Sequence, residues 1–180
     1  MIDRHWTLQF EGGYRCGGND RGRERRNSNG GAVGSEVPGV RVWPMSDKIE
    51  GFVGLSIDDV QRIYFRDKLP NGGGRFTYRA SGLNAPGGTV VLFQFKGRII
   101  ASGVFVRDEK FEKVRKGQLG VLHFEPGSFR TFEPVDVEGM RRAWPRFRGF
   151  GHVKQALNPG MYGAFKRRLK KVRAPGSSGE

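Results

Sequence analysis

Apolar positions gather most densely between Thr89 and Val106. Two runs, Val-Val-Leu-Phe-Gln-Phe and Arg-Ile-Ile-Ala-Ser-Gly-Val-Phe-Val, are joined there by Lys96-Gly97. A two-residue link ending in Gly between β-rich runs predicts a tight hairpin, because the favoured turns need φ > 0. Both runs are nearly all apolar instead of alternating. The hairpin is therefore expected to be covered on both faces and to form the centre of the core.

Weaker patterns flank it. Val40-Arg-Val-Trp43 predicts a strand stopped by Pro44. Ser56-Ile-Asp-Asp59 has the spacing of a capping box, in which Ser caps free N–H groups and Asp reaches back. Ile57, Val60, Ile63 and Tyr64 then share one face of a helix, which Pro70-Asn-Gly-Gly-Gly ends. Phe76–Ala80 predicts a short strand, and Asn84-Ala-Pro-Gly-Gly88 a turn into the central hairpin. Beyond the hairpin, the charged stretch Arg107–Gly120 predicts an excursion from the fold. Val121–Phe124 and Ser128–Phe132 predict two more strands about Pro126-Gly127. Asp136 is placed to cap a short helix with Val137, Met140 and Trp144 on one face and Pro145 as its stop. Asn158-Pro159 predicts the start of a last helix, with Tyr162, Phe165 and Leu169 as its apolar stripe. No internal repeat is present. Five or six strands with three short helices predict an α+β domain, a small mixed β-barrel with helices on its flanks.

The ends differ from this. Residues 1–39 hold a short alternating run at Trp6, Leu8 and Phe10, then glycines and the basic cluster Arg21, Arg23, Arg25 and Arg26. That composition buries little surface, so a loose, basic, Gly-rich arm is expected. The domain proper is expected at 40–173, followed by a small polar tail at 174–180.

Charge narrows the choice of partner. Lys+Arg 32 against Asp+Glu 18 gives a net charge of +14. The distribution is one-sided, with no acid between Gly139 and Gly179. Arg141, Arg142, Lys154, Lys166, Arg167, Lys170 and Lys171 are the expected phosphate-binding residues in that segment. A polyanion is the natural partner of such a face, with nucleic acid first. A lone Cys16 allows no internal disulfide and fits a reducing compartment, so a cytoplasmic protein is expected. No apolar run approaches membrane-span length, so no membrane partner is expected.

Chemistry of other kinds finds little support. His5, His123 and His152 are widely separated and there is no second Cys, so no metal-ligand spacing exists. His123 fits a packed or edge position on an alternating strand. Gly72–Gly74 lacks the Lys-Ser/Thr of a phosphate loop. No nucleophile motif occurs, and Asp58, Asp59, Asp108 and Glu109 read as surface acids. No catalytic residue, metal or cofactor is therefore expected. What does stand out is the alternation of aromatic and basic residues, as at Phe76, Tyr78 and Arg79, or Trp144 among Arg141, Arg142 and Arg146. Ring stacking combined with phosphate contact is the common physics of reading unpaired or flipped bases.

The span Val40–Leu169 resembles the PUA superfamily, and within it the EVE and YTH-like domains. Trp43-Pro-Met-Ser-Asp47 is similar to the strand that runs into a pocket loop in EVE domains. Phe76-Thr-Tyr-Arg-Ala80 followed by Gly87-Gly-Thr-Val-Val-Leu-Phe93 is similar to their approach to the central hairpin, with Thr89 where the pattern has Asp. Arg98–Val106 is similar to the returning strand. The later motifs Trp144-Pro-Arg-Phe147, Gln155-Ala-Leu157 and Tyr162-Gly-Ala-Phe165 resemble readers that precede HNH nuclease domains in modification-dependent restriction enzymes. The resemblance implies a PUA-like barrel that holds one modified base in an aromatic pocket. Trp43 is then the expected stacking ring, Tyr78 or Phe76 the second wall, and Ser46, Asp47 and Arg79 the nearest polar groups. Trp144 and Gln155 stand next in line. DNA is the favoured partner and RNA the alternative. A nuclease domain would lie on a separate or missing segment, since no HNH-type cluster is present.

Overall fold

A computed structural model describes residues 37–48, 51–115, 117–151 and 154–170. The chain divides into two compact units, Met1–Val33 and Gly34–Glu180, and all of these residues belong to the second. The expected strand at Trp6–Phe10, Cys16, His5, His152, Lys171 and the tail lie outside the described residues.

The second unit is a mixed α+β fold around a mostly open sheet of seven strands. The strands are β1 (Val40–Pro44), β2 (Arg75–Tyr78), β3 (Val90–Phe95), β4 (Arg98–Arg115), β5 (Gln118–Phe124), β6 (Arg130–Val135) and β7 (Ala156–Leu157). Their order is β2-β5-β4-β3-β1-β7, with β6 also paired to β4. β1 and β3 run parallel, and the other pairs are antiparallel.

The central hairpin forms as its pattern requires. Lys96 and Gly97 both take positive φ, 46° and 72°, the twist that matches the flanking strands. All six residues of β3 are buried. Val91, Phe93 and Phe95 point into one core cluster, and Val90 and Leu92 into a second. β1 divides in the same way, with Val40 and Val42 in the second cluster and Trp43 in the first. A strand covered on both faces has no polar face to show, hence the unbroken apolar run.

Two layers cover the sheet. The first is the helical segment that opens with α1 (Ile57–Asp59), with the capping box at Ser56 in place. It continues as a π-wound stretch, Val60–Lys68, and closes with α2 (Leu69–Asn71). The winding corrects the expected stripe. The i→i+5 hydrogen bond from Leu69 N–H to the Tyr64 carbonyl widens the turn. Val60, Gln61, Phe65 and Leu69 are buried in consequence, while Ile57, Ile63 and Tyr64 are only half-buried. Gln61 donates from Nε2 to the carbonyls of Ile100 at 2.6 Å and Phe132 at 2.7 Å. It thereby bridges β4 and β6 beside their register shift at Ile99/Ala101.

The second layer is α3 (Val137–Ala143) and α4 (Tyr162–Arg168). Asp136 caps α3 by accepting from Gly139 N–H at 2.8 Å, and α3 stops one residue before Trp144. Asn158-Pro159 opens a short 3-10 turn, Pro159–Met161, that leads into α4. Met140, Ala143, Trp144 and Phe165 close the second cluster.

One expectation is corrected here, and one strand is added. The charged stretch after Val106 is no excursion: β4 continues to Arg115 and turns back into β5 as a long ribbon. Alternating charges are compatible with a strand whose faces meet solvent. The two-residue β7, paired with the start of β1, is too short to leave a pattern in the sequence. Among the described residues no helix is long and apolar enough to cross a membrane.

Candidate nucleic-acid interface

Trp43, one residue before the end of β1, turns its side chain into the first cluster, and β2 brings two rings to meet it. The Trp43 ring lies edge-on to Phe76, centroids 5.9 Å apart, and to Tyr78 at 6.4 Å. Edge-to-face contact is the arrangement that ring quadrupoles favour. Phe76 and Tyr78 are two residues apart on one strand and so point to one face. The three predicted rings therefore come together, but as buried side chains: Trp43 and Tyr78 are each 5 % exposed and Phe76 8 %. Trp43, the expected stacking ring, thus has most of its surface packed in the core. The aromatic contacts that embed it are local to the sheet, which a strand-end position does not reveal.

The polar groups that reach this trio are not those expected. Ser46 and Asp47 lie exposed on the turn after β1, where Ser46 Oγ accepts from Lys48 N–H at 3.1 Å. Arg79 is exposed beyond β2. Tyr78 instead donates its hydroxyl to Asp108 Oδ1 at 2.7 Å. Asp108 is thus no surface acid, but a half-buried residue of the ribbon. Two glycines make room for the Tyr78–Asp108 pair. A Cβ on Gly82 would fall 1.6 Å from Asp108 Oδ2, and one on Gly120 would fall 2.4 Å from the Tyr78 hydroxyl oxygen. Burial, then the hydrogen bond to Asp108 and its charge, push the Tyr78 hydroxyl up to about 12.

Lys154 completes the group. Its Nζ stands 4.7 Å from the Trp43 ring centroid. It donates to the Ser81 carbonyl, to Ser81 Oγ, and to the Gly82 carbonyl at 3.0 Å. Desolvation holds the Lys154 ammonium below the usual lysine range, and the nearby Asp108 charge opposes that shift. Lys154 was expected with the phosphate-binding residues; its ammonium faces the aromatic trio instead. Lys154 takes a φ of 54°, which turns the chain just ahead of β7. The Gln155 carbonyl accepts from Val42 N–H at 3.0 Å, and its side-chain Oε1 is buried without a hydrogen-bond partner. Neither Asp108 nor Lys154 carries a local signal; only the β2–β5–β4 register and the return of the chain to β1 bring them here.

The other expected phosphate contacts among the described residues are all exposed. Arg141, Arg142, Lys166, Arg167 and Lys170 are exposed on or beside α3 and α4, as are Arg146, Arg148 and Arg168. Arg141 pairs with Glu138 at 3.0 Å and Lys170 with Glu133 at 3.8 Å. Arg168 donates to the Arg142 carbonyl at 2.7 Å and so ties α4 to the last turn of α3. Trp144 is core, not pocket: it packs on Phe165 with centroids 4.8 Å apart and donates Nε1–H to the Asn158 carbonyl at 2.9 Å.

No family model matches this chain, and neither a curated protein nor a solved structure matches it. What the site can do is therefore read from its geometry. His123 is half-buried on β5, with Nε2 2.8 Å from Glu109 Oε2, and Arg107 lies 3.0 Å from the same oxygen. The hydrogen bond from His123, followed by that from Arg107, holds the Glu109 carboxyl below the usual range. These groups lie along the ribbon, and among the described residues no three His, Cys, Asp or Glu side chains gather as metal ligands.

Proposed function

We propose that this chain binds nucleic acid, DNA by preference, and inspects a modified base on the face of Trp43. The carrying observation is the convergence of Trp43, Phe76 and Tyr78 beside Lys154 and Asp108. A flipped base needs a ring to replace the stacking it gives up, worth about 1–3 kcal/mol per base, and polar groups to read its edge. The basic surface of α3 and α4 supplies the sequence-independent attraction to phosphate. The order of elements also supports a PUA-type barrel, with the first half of β4 paired to β3 and β6 and its second half to β5. On this reading the chain holds and reads its target, and cleavage would belong to a nuclease domain on another segment or chain.

The low exposure of Trp43 favours a second reading, in which the trio only fills the core and the basic face binds polyanions, RNA included, without inspecting a base. Trp43→Phe and Trp43→Ala separate the two. As a reading ring, Trp43 leaves binding to plain DNA and its salt dependence in place when replaced, while the preference for modified DNA disappears. As core alone, Trp43→Ala costs about 3–5 kcal/mol of stability, and a protein that stays folded binds all DNA as before. Filter binding to paired modified and plain oligonucleotides, with a melt of each variant, reads both. A folded Trp43 variant that still discriminates overturns the proposal.

A further inference from the structure

The groups around the Lys154 ammonium, over the Trp43 ring, share one chemical character. The Ser81 and Gly82 carbonyls accept hydrogen bonds, and Ser81 Oγ accepts one there too. Asp108 is a carboxylate whose Oδ1 is held by Tyr78 and whose Oδ2 lies against the Gly82 backbone. The ring face itself is electron-rich. All of them call for hydrogen-bond donors and positive charge, and Lys154 answers with both. A base that stacks on Trp43 must displace the Lys154 ammonium. A neutral base would leave the carbonyls partly unpaired and Asp108 without a nearby opposite charge, which is costly in a half-buried place. A cationic base with an amino edge replaces the ammonium like for like.

We propose that the Trp43 site takes a positively charged, ring-N-methylated base, and that Lys154 holds its place until such a base arrives. The inference rests on the base-reading function proposed above and narrows it to a charge class. Lys154 reaches the site on a flexible four-carbon stem, so it can leave without a change in the sheet. The exposed cations of α3 and α4 would repel a basic peptide, so an alkylated nucleobase fits better than an alkylated lysine.

Three single-stranded DNA oligonucleotides of one sequence test this, carrying at one position 3-methylcytosine, 5-methylcytosine or cytosine. The first is cationic at neutral pH and the other two are neutral, and single strands remove any difference in pairing. The expected result is a preference for 3-methylcytosine on the order of ten- to thirtyfold, the worth of a desolvated cation–π contact. Asp108→Asn keeps an acceptor for Tyr78 and is expected to bring the preference close to parity. Lys154→Met removes the resident cation and is expected to hold or raise it. A 5-methylcytosine preference equal or superior to that for 3-methylcytosine overturns the charge class and leaves base reading intact. No discrimination among the three overturns base reading, and this inference with it. An unchanged preference in folded Asp108→Asn, a fall in Lys154→Met, or tighter binding of a trimethyllysine peptide than of the 3-methylcytosine strand likewise overturns it. Melting temperatures measured beside each affinity identify a variant that fails to fold, in which case the wild-type comparison decides.

Discussion

At the scale of single residues, the Tyr78–Asp108 pair couples the core to the polar site. The phenol is buried among rings, its hydroxyl donates to a carboxylate, and both conditions favour the neutral form. Its pKa is raised from 10.0 to about 12, so between those values the folded state keeps a proton that the unfolded chain releases. Stability from this group is complete below about pH 10 and is lost as pH rises towards 12. Tyr78→Phe removes that contribution. Denaturant melts across this range are expected to show a shallower decline for Tyr78→Phe than for the native chain. A decline of equal slope would show that Tyr78 does not sense the change. Some slope persists in either case, because burial also raises the Tyr64 and Tyr162 hydroxyls.

At the scale of elements, α3 and α4 present two different faces. Met140, Ala143, Trp144 and Phe165 face the sheet, while Arg141, Arg142, Lys166, Arg167 and Arg168 face water. Surface ion pairs such as Arg141–Glu138 contribute little to stability, so the outward charge is available for phosphate at little cost to the fold. Replacing Lys166, Arg167, Lys170 and Lys171 together by Gln is expected to weaken binding to every DNA sequence alike. The slope of log affinity against log salt should shrink by roughly 0.9 for each phosphate that is no longer neutralised, with the melting temperature nearly unchanged. Binding by filter assay over a salt series checks this, and an unaltered slope removes the assignment. The central hairpin behaves differently. It has no such outward face, and substitutions in β3 are expected to act on stability alone.

At the scale of the molecule, the described members of both core clusters lie between residues 37 and 169. Val37 already packs against the second cluster, and the Gly39 carbonyl accepts from Val90 N–H at 2.9 Å. Among the described residues, the buried side chains of the two clusters belong to the second unit. Residues 1–33 are rich in Gly and Arg and offer few apolar side chains to bury, so deleting them is expected to leave the melting midpoint within a few degrees of the full chain, about the effect of less than 1 kcal/mol in a domain of this size. A large drop would show that Trp6, Leu8 and Phe10 complete the structure.

Local chemistry was enough for some of this protein. The Lys96-Gly97 turn, the Ser56–Asp59 capping box, the Asp136 cap and the two-sided burial of β3 follow from residues adjacent in sequence, because each is a matter of φ, hydrogen-bonding reach or apolar run. The basic surface of α3 and α4 was legible for the same reason, since charge density needs no partner to be counted. Three things lay beyond it. The π winding turned the buried face of the first helix towards Gln61 and Phe65, because tertiary packing overrode the ordinary helical period. The charged stretch after Val106 became a ribbon, because pairing with β5 decides a strand whose faces are polar. Asp108 and Lys154 joined Trp43, because residues separated by 65 and 111 positions meet only when strand register and the final return of the chain bring them together. Sequence determined the central hairpin, the helix caps and the charge; the tertiary structure decided the π winding, the ribbon and which polar groups meet the aromatic rings.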